Sequence, residues 1–246
     1  MIRWAAETLA GRFNPATGCT RSWNHGQWEY PVIIDNMMNL ELLFNATSLF
    51  DDLNYDDICN THAQTTMKNH FRDDYSTWHL VNYSTEDGHV IGKQTVQGYS
   101  DDSMWARGES WALYGYTMMY RETGNEAYLK QACNIADLLL QRLPEDGIPY
   151  WDFDCKDIPD TYRDASAGCV MASAFIELAG FTGNKAYREM AEKQIRTLAS
   201  PEYLAQPGEQ RGFILKHSVG NLPGGDQIDV PLTYADYYFL EALSRL

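Results

Sequence analysis

VIIDNMMNLELLF, Val32 to Phe44, places one carboxylate, Asp35, inside a run of aliphatic and thioether side chains. An aspartate there has two readings. Asp just ahead of an apolar helical run is a common N-cap, its side chain accepting from the first free backbone N–H groups. A carboxyl held among apolar groups instead has its charged form penalised, which raises its pKa and makes it a usable proton donor near neutrality. Both hold at once if the residue sits at the mouth end of an inner helix and faces a cavity.

Four other stretches carry groups that suit chemistry. STWHLVNY contains Trp78–His79, where packing competes with a polar role. VQGYSDDSMWARGESWALYGYT, Val96 to Thr117, gathers Gln97, two aspartates, Trp105, Arg107, Glu109 and Trp111. Asp101, Asp102 and Ser103 read equally as caps, and Arg107 with Glu109 as a solvated pair. Arg107 and Trp111 are four apart and share a helix face. A guanidinium beside an indole suits a ring that bears a carboxylate. TRSWN supplies a loop tryptophan, Trp23, ahead of the Asp35 helix. LKHSVGNLPGGDQIDVPLTYADYYFLEAL, Leu215 to Leu243, has a Gly-rich turn that lacks GxGxxG, so it is not a phosphate loop; His217 and Ser218 could line a mouth there.

The elements that position these residues read as helices of two alternating kinds. Ile33–Leu49, Trp105–Tyr120, Ser166–Ala179 and Leu232–Leu243 are apolar nearly all round, as buried helices are. Asn54–Phe71, Asn125–Leu143 and Asn184–Ser200 carry one apolar stripe each, as outer helices do. RETGNEAYLKQA (Arg121–Ala132) resembles GFTGNKAYREMA (Gly180–Ala191), a degenerate repeat in which Gly ends one helix and Asn caps the next. FDDLNYDDI occupies the same place one hairpin earlier. Helical hairpins in an inner and an outer layer predict an all-α fold, an (α/α)6 toroid, as one domain over residues 1–246. The stretches Arg72–Met104, Pro144–Arg163 and Pro201–Pro231 read as loops gathered at the mouth of the inner ring, where small-molecule sites form.

Composition narrows the partners. The 246 residues carry a net charge of −15, which disfavours nucleic acid because phosphate binding needs clustered Lys and Arg. A pocket on an acidic protein is still free to be locally positive. Aromatics make up 13% of the chain, and their ring faces suit the C–H faces of sugars as well as cores. No uninterrupted apolar run reaches membrane-spanning length, so no membrane partner is expected. The five cysteines are scattered, without CxxC or a zinc-type spacing, so neither a disulfide framework nor a metal site is expected.

Taken together, IIDNMMN, WHLVNY, QGYSDDSMWARGESWALYG and DVPLTYADYYFLEAL resemble the unsaturated glucuronyl hydrolases, glycoside hydrolase family 88, over essentially the whole chain. The related unsaturated rhamnogalacturonyl hydrolases share fold and chemistry but match these blocks less well. The resemblance implies Asp35 as the acid/base, His79 and Gln97 as pocket residues near an unsaturated sugar, Arg107 and Trp111 as substrate-binding positions, and Trp23 as an aromatic packing on the sugar. It implies substrates that are unsaturated uronic-acid oligosaccharides left by polysaccharide lyases, and no cofactor. Glu109 stands where Gln is expected more often. Another α/α toroid enzyme, such as a sugar epimerase relying on several His, is the lesser alternative, since only His79 has a matching context.

The resemblance also implies an upstream segment of several helices with a second functional aspartate in an HD-x-GF-type motif, which these residues do not contain. About eight helices are expected where a full ring has twelve. The expectation is therefore an N-terminally truncated ring with an exposed apolar flank, prone to self-association and weak in activity, or a remnant that at most binds sugars. A periplasmic or a cytoplasmic home fits equally.

Overall fold

The computed structural model describes all of residues 1–246. It contains eight α-helices: α1 (Ile2–Ala10), α2 (Asn36–Leu49), α3 (Asp56–Asn69), α4 (Ala106–Thr123), α5 (Glu126–Arg142), α6 (Ala165–Thr182), α7 (Lys185–Leu198) and α8 (Thr233–Arg245). The helices α2, α4, α6 and α8 form the inner layer, each packed on the next, while α3, α5 and α7 pair outside α2, α4 and α6. This is the layering of an α/α toroid. The outer helices bury one stripe each, such as Tyr187, Ala191, Ile195 and Leu198 on α7. Helix α4 is buried on every side from Ala106 to Met119. Helix α6 is apolar enough to match a membrane span, with mean hydropathy 1.4, but 72% of that window is buried inside the fold, so it is a core helix.

The repeat explains the hairpin turns. Gly124 and Gly183 end α4 and α6 in the left-handed region, at φ 66° and 70°, where a side chain would be strained. The next residues, Asn125 and Asn184, accept from the Ala127 and Ala186 N–H groups and start α5 and α7. One helix thus stops and the next starts within two residues, which folds the pair back antiparallel.

The inner helices are also tied by charge. Arg121 on α4 bridges Glu41 of α2 and Glu177 of α6, the latter at 2.8 Å, and Arg245 of α8 reaches Glu177 at 3.2 Å. Between α2 and α8 lies a groove of about 370 Å³ lined by Met38, Leu42, Tyr234, Tyr237 and Tyr238. Trp4 is 72% exposed on α1, and Leu49, Tyr237 and Leu240 are also exposed.

The fold departs from the all-α expectation in one place that matters. A short hairpin pairs β1 (Phe13–Asn14) with β2 (Cys19–Thr20). A second, three-stranded antiparallel sheet joins β3 (Pro31–Ile33), β4 (Leu80–Tyr83) and β5 (Val90–Gln94) in that order. The helix expected from Ile33 therefore begins only at Asn36. The stretch Arg72–Met104, read as loop, contains two of the three strands. Neither strand shows the alternation that marks a half-exposed strand: β4 is buried at all four positions and β5 at none.

Candidate active site

One end of the three-stranded sheet assembles the site. Ile33, Leu80 and Gln94 are in register across the three strands. The ladder extends one step further, with the Ile34 N–H donating to the His79 carbonyl at 3.0 Å. The chain just beyond this edge supplies Asp35 from β3, His79 from β4 and the Thr95–Gln97 turn from β5. Three residues far apart in sequence thus converge because three strands share one register.

Asp35 precedes α2, but its side chain caps nothing: no hydrogen bond joins it to the helix N–H groups. Its side chain is 20% exposed, and Oδ2 is buried with no hydrogen-bond partner. Burial pushes the carboxyl up to about 6, against the opposing pull of the Arg107 charge and the Trp111 side chain. Helix α4 lies close enough to exert that pull because Gly115 has no side chain. A Cβ there would stand 2.5 Å from the Met37 Cβ on α2.

His79 faces this carboxyl. Its Nδ1 accepts from the backbone N–H of Val96 at 3.0 Å and of Gln97 at 3.2 Å. Two donors aimed at one nitrogen make it the acceptor, so the proton of the neutral ring sits on Nε2. Nε2 lies 3.8 Å from Asp35 Oδ2 and has no other partner. Burial first, then the Arg107 charge, lowers His79 to about 3, so the ring is neutral across the physiological range. The Trp105 ring packs against it at 4.4 Å.

Arg107 is almost fully buried and clamps the far wall. Nη1 pairs with Asp164 at 3.3 Å and donates to the Val219 carbonyl; Nη2 donates to the Gly220 carbonyl at 2.6 Å. Asp164 is itself the α6 N-cap, accepting from Ser166 N–H at 3.0 Å. Gln97 donates to the same Gly220 carbonyl at 3.2 Å. The wall carried by these contacts, His217 to Val230, holds three non-glycine residues at positive φ: His217, Gln227 and Asp229. Asp35, Met38, Gln97, Arg107, Trp111, Gly220, Gln227 and Tyr234 enclose a cavity of about 330 Å³. It is open at one side, holds a single carboxyl, and is walled by an indole and a phenol, which is the lining of a sugar site.

Comparison with known proteins places the chain in a family. The Glycosyl Hydrolase Family 88 profile matches residues 19–242. The chain belongs to glycoside hydrolase family 88. It is 49% identical over 245 residues to an unsaturated glucuronyl hydrolase of Formosa agariphila, covering 98% of this chain and 61% of that protein. An unsaturated chondroitin disaccharide hydrolase of Streptococcus pneumoniae is 33% identical, with 98% of this chain and 62% of that protein covered. The crystal structure of an unsaturated glucuronyl hydrolase specific for heparin superposes with a TM-score of 0.96 at 48% identity, over 99% of this chain and 67% of that one. The chain thus spans about three fifths of the length of these family 88 relatives.

Within this family 88 chain, the residues singled out from sequence divide. Asp35, Gln97, Arg107 and Trp111 share the cavity wall. His79 lies behind the wall, buried against Asp35 and Trp105. Trp23 is also outside the wall. It stacks on His25 at 5.9 Å and meets Trp28 edge-on, and its neighbour Ser22 donates its hydroxyl to the Asn36 side chain at 3.2 Å. Arg107 and Glu109 are no solvated pair: both are buried and bond to different partners. Asp101 and Ser103 do not cap α4. They fold the preceding loop, accepting from Thr95 N–H and donating to Asp152. His217 is partly exposed beside Asp229, while Ser218 is fully buried.

Sequence reasoning did not single out Met38, Gly220, Gln227, Tyr234 or Asp164. Asp164 had a readable signal, an aspartate directly ahead of the apolar α6 run. Gly220 and Gln227 had none, since their place depends on a loop folding back over α4.

Proposed function

We propose that this chain carries a hydration site for unsaturated uronyl oligosaccharides, acting as one unit over residues 1–246, with Asp35 as general acid and then general base. The observation that carries the reading is a carboxyl with a raised pKa, one oxygen unpartnered, opening on a ring-lined cavity that contains no second carboxyl. An ordinary glycosidase needs two carboxyl groups across the scissile bond. Hydration of a C4=C5 double bond needs one group that gives a proton and then takes one.

In this scheme neutral Asp35 protonates C4 of the terminal sugar. The vinyl ether becomes an oxocarbenium-like centre at C5, and the new carboxylate removes a proton as water adds there. The hemiketal opens to a C5 ketone, which leaves C1 as a hemiacetal. Its collapse to the aldehyde releases the next sugar as an alcohol. One water is consumed and Asp35 ends protonated, as it began.

Gln97 and Trp111 line the face that meets the uronyl ring, and Trp23 serves a sugar beyond it. Arg107 contributes a fixed positive charge near the uronate. Three of its five N–H donors are engaged by Asp164 and two carbonyls, which leaves two for a substrate carboxylate. The heparin specificity of the 48%-identical relative makes an unsaturated heparin disaccharide the first substrate to try, with chondroitin disaccharides as the comparison.

The second reading is sugar binding without turnover. The groove between α2 and α8 favours it, because Met38 and Tyr234 line that groove as well as the cavity, so the site is open on that side. The same exposed flank, with Trp4 and Leu240, suits self-association of the chain. Loss of the ultraviolet absorbance of the conjugated double bond separates the two. Loss that vanishes in Asp35→Asn supports hydration, whereas binding by calorimetry with stable absorbance supports the second reading.

A further inference from the structure

Glu109 is fully buried on α4, two residues past Arg107, and takes no part in the cavity wall. Its Oε1 accepts from the Thr77 backbone N–H at 2.8 Å and from the Thr77 hydroxyl at 3.0 Å. The other oxygen, Oε2, is buried with no partner. A half-satisfied buried carboxyl is costly to keep, and an apolar side chain would serve packing better. Such a cost is sustained where a group holds something in place.

What Glu109 holds is the start of β4. Thr77 lies two residues before His79, and each residue of this short run is pinned. The Thr77 carbonyl accepts from Arg72 at 2.6 Å, Trp78 N–H donates to the His70 carbonyl at 2.7 Å, and the His79 carbonyl accepts from Ile34 N–H. Glu109 is the link from this run to the rigid helix that also carries Arg107 and Trp111.

We infer that Glu109 is a positioning residue: by gripping Thr77 it registers His79 on the Val96 and Gln97 amides and so keeps the Nε2–H directed at Asp35. The catalytic side of this inference rests on the hydration reading of Asp35. A glutamine at 109 offers the same carbonyl acceptor to Thr77 and preserves the grip. Alanine leaves the Thr77 N–H and hydroxyl without partners and removes the tie to α4, so the run is held only by Arg72, His70 and Ile34 and loosens.

The test is imidazole nitrogen NMR on the full chain labelled at histidine, with His79 assigned by its loss in His79→Gln. The wild type and Glu109→Gln are expected to show His79 as the single neutral Nε2–H form. Glu109→Ala is expected to show averaged tautomers, with kcat reduced about a hundredfold and KM nearly unchanged. Thr77→Val removes only the hydroxyl half of the grip and covers the case in which the alanine variant does not fold; it is expected to move the His79 signals the same way by less. Unchanged His79 signals in Glu109→Ala, or in Thr77→Val if the alanine variant is unfolded, overturn the inference. The signals need no substrate, so an inactive wild type removes the hydration reading alone and leaves the Glu109 question answered.

Discussion

His79 Nε2 and Asp35 Oδ2 face each other across 3.8 Å, each buried and each without another partner. The separation is too long for a direct hydrogen bond and is fixed from both sides: Nδ1 of the ring is held by two amides, and the Asp35 segment by the Ile34–His79 ladder bond. In the proposed hydration, a neutral N–H facing this oxygen would stabilise the carboxylate left after Asp35 gives its proton. It also leaves the acid free to form, because it adds no full positive charge.

In the proposed hydration Asp35 starts protonated. Its carboxyl titrates at about 6, so the proton-donating form is lost as pH rises through that value. Turnover of an unsaturated disaccharide, followed by absorbance, is expected to fall above pH about 6. Asp35→Asn is expected to lower kcat at least about a thousandfold with unchanged helicity. A flat profile between pH 5 and 8, or an active Asn variant, would remove Asp35 from the acid role.

Arg107→Ala leaves Asp164 as a fully buried carboxylate that has lost its cation. Breaking one side of such a pair costs about 3–5 kcal/mol, which chemical denaturation would read directly. The Val219 and Gly220 carbonyls lose their donor at the same time, so faster proteolysis near 217–229 is expected in the variant. Wild-type stability and wild-type proteolysis would show that the clamp contributes little.

Gly115→Ala tests the approach of α2 to α4. The added methyl would meet the Met37 Cβ at 2.5 Å, and neither helix yields easily. A stability loss of about 1–3 kcal/mol is expected, together with an altered pH limit for turnover, since the distances from Asp35 to Arg107 and Trp111 change. A pH profile identical to wild type would mean that α2 shifts without moving Asp35.

Acid should destabilise the fold through its buried imidazoles. Burial lowers His62 to about 3, His70 to about 4 and His79 to about 3, from an ordinary 6.5. Below pH 6.5 the unfolded chain binds protons at these three sites and the folded chain does not, so stability falls as pH drops toward 4. Asp35 and Glu109 work the other way, because burial raises them to about 6 and 7 and the folded chain takes up their protons first. Removing both in Asp35→Asn/Glu109→Gln should steepen the acid loss by up to about 1.4 kcal/mol per pH unit for each carboxyl removed. Equal slopes in denaturation series between pH 7 and 5 would contradict this balance.

Residue order alone determined much of this protein. Periodicity separates the inner from the outer helices because a helix buried all round and a helix buried on one stripe need different compositions. The TGN-x-AY repeat specifies its own turns, since the left-handed glycine and the capping asparagine are local requirements. The candidate acid was legible for the same kind of reason: a carboxylate among aliphatic neighbours remains among them after folding.

Only the tertiary structure decided what that carboxylate faces. The β3–β4–β5 register brings His79 and the Gln97 turn to Asp35 across 44 and 62 residues of chain, and no local pattern encodes the register of a central strand, β4, buried at every position. The same holds for Trp23, which lies outside the cavity wall, and for Glu109, whose partner is Thr77 and not its neighbour Arg107. Pairing between distant segments depends on the shape of the whole core, and that shape exists only once the helices have packed.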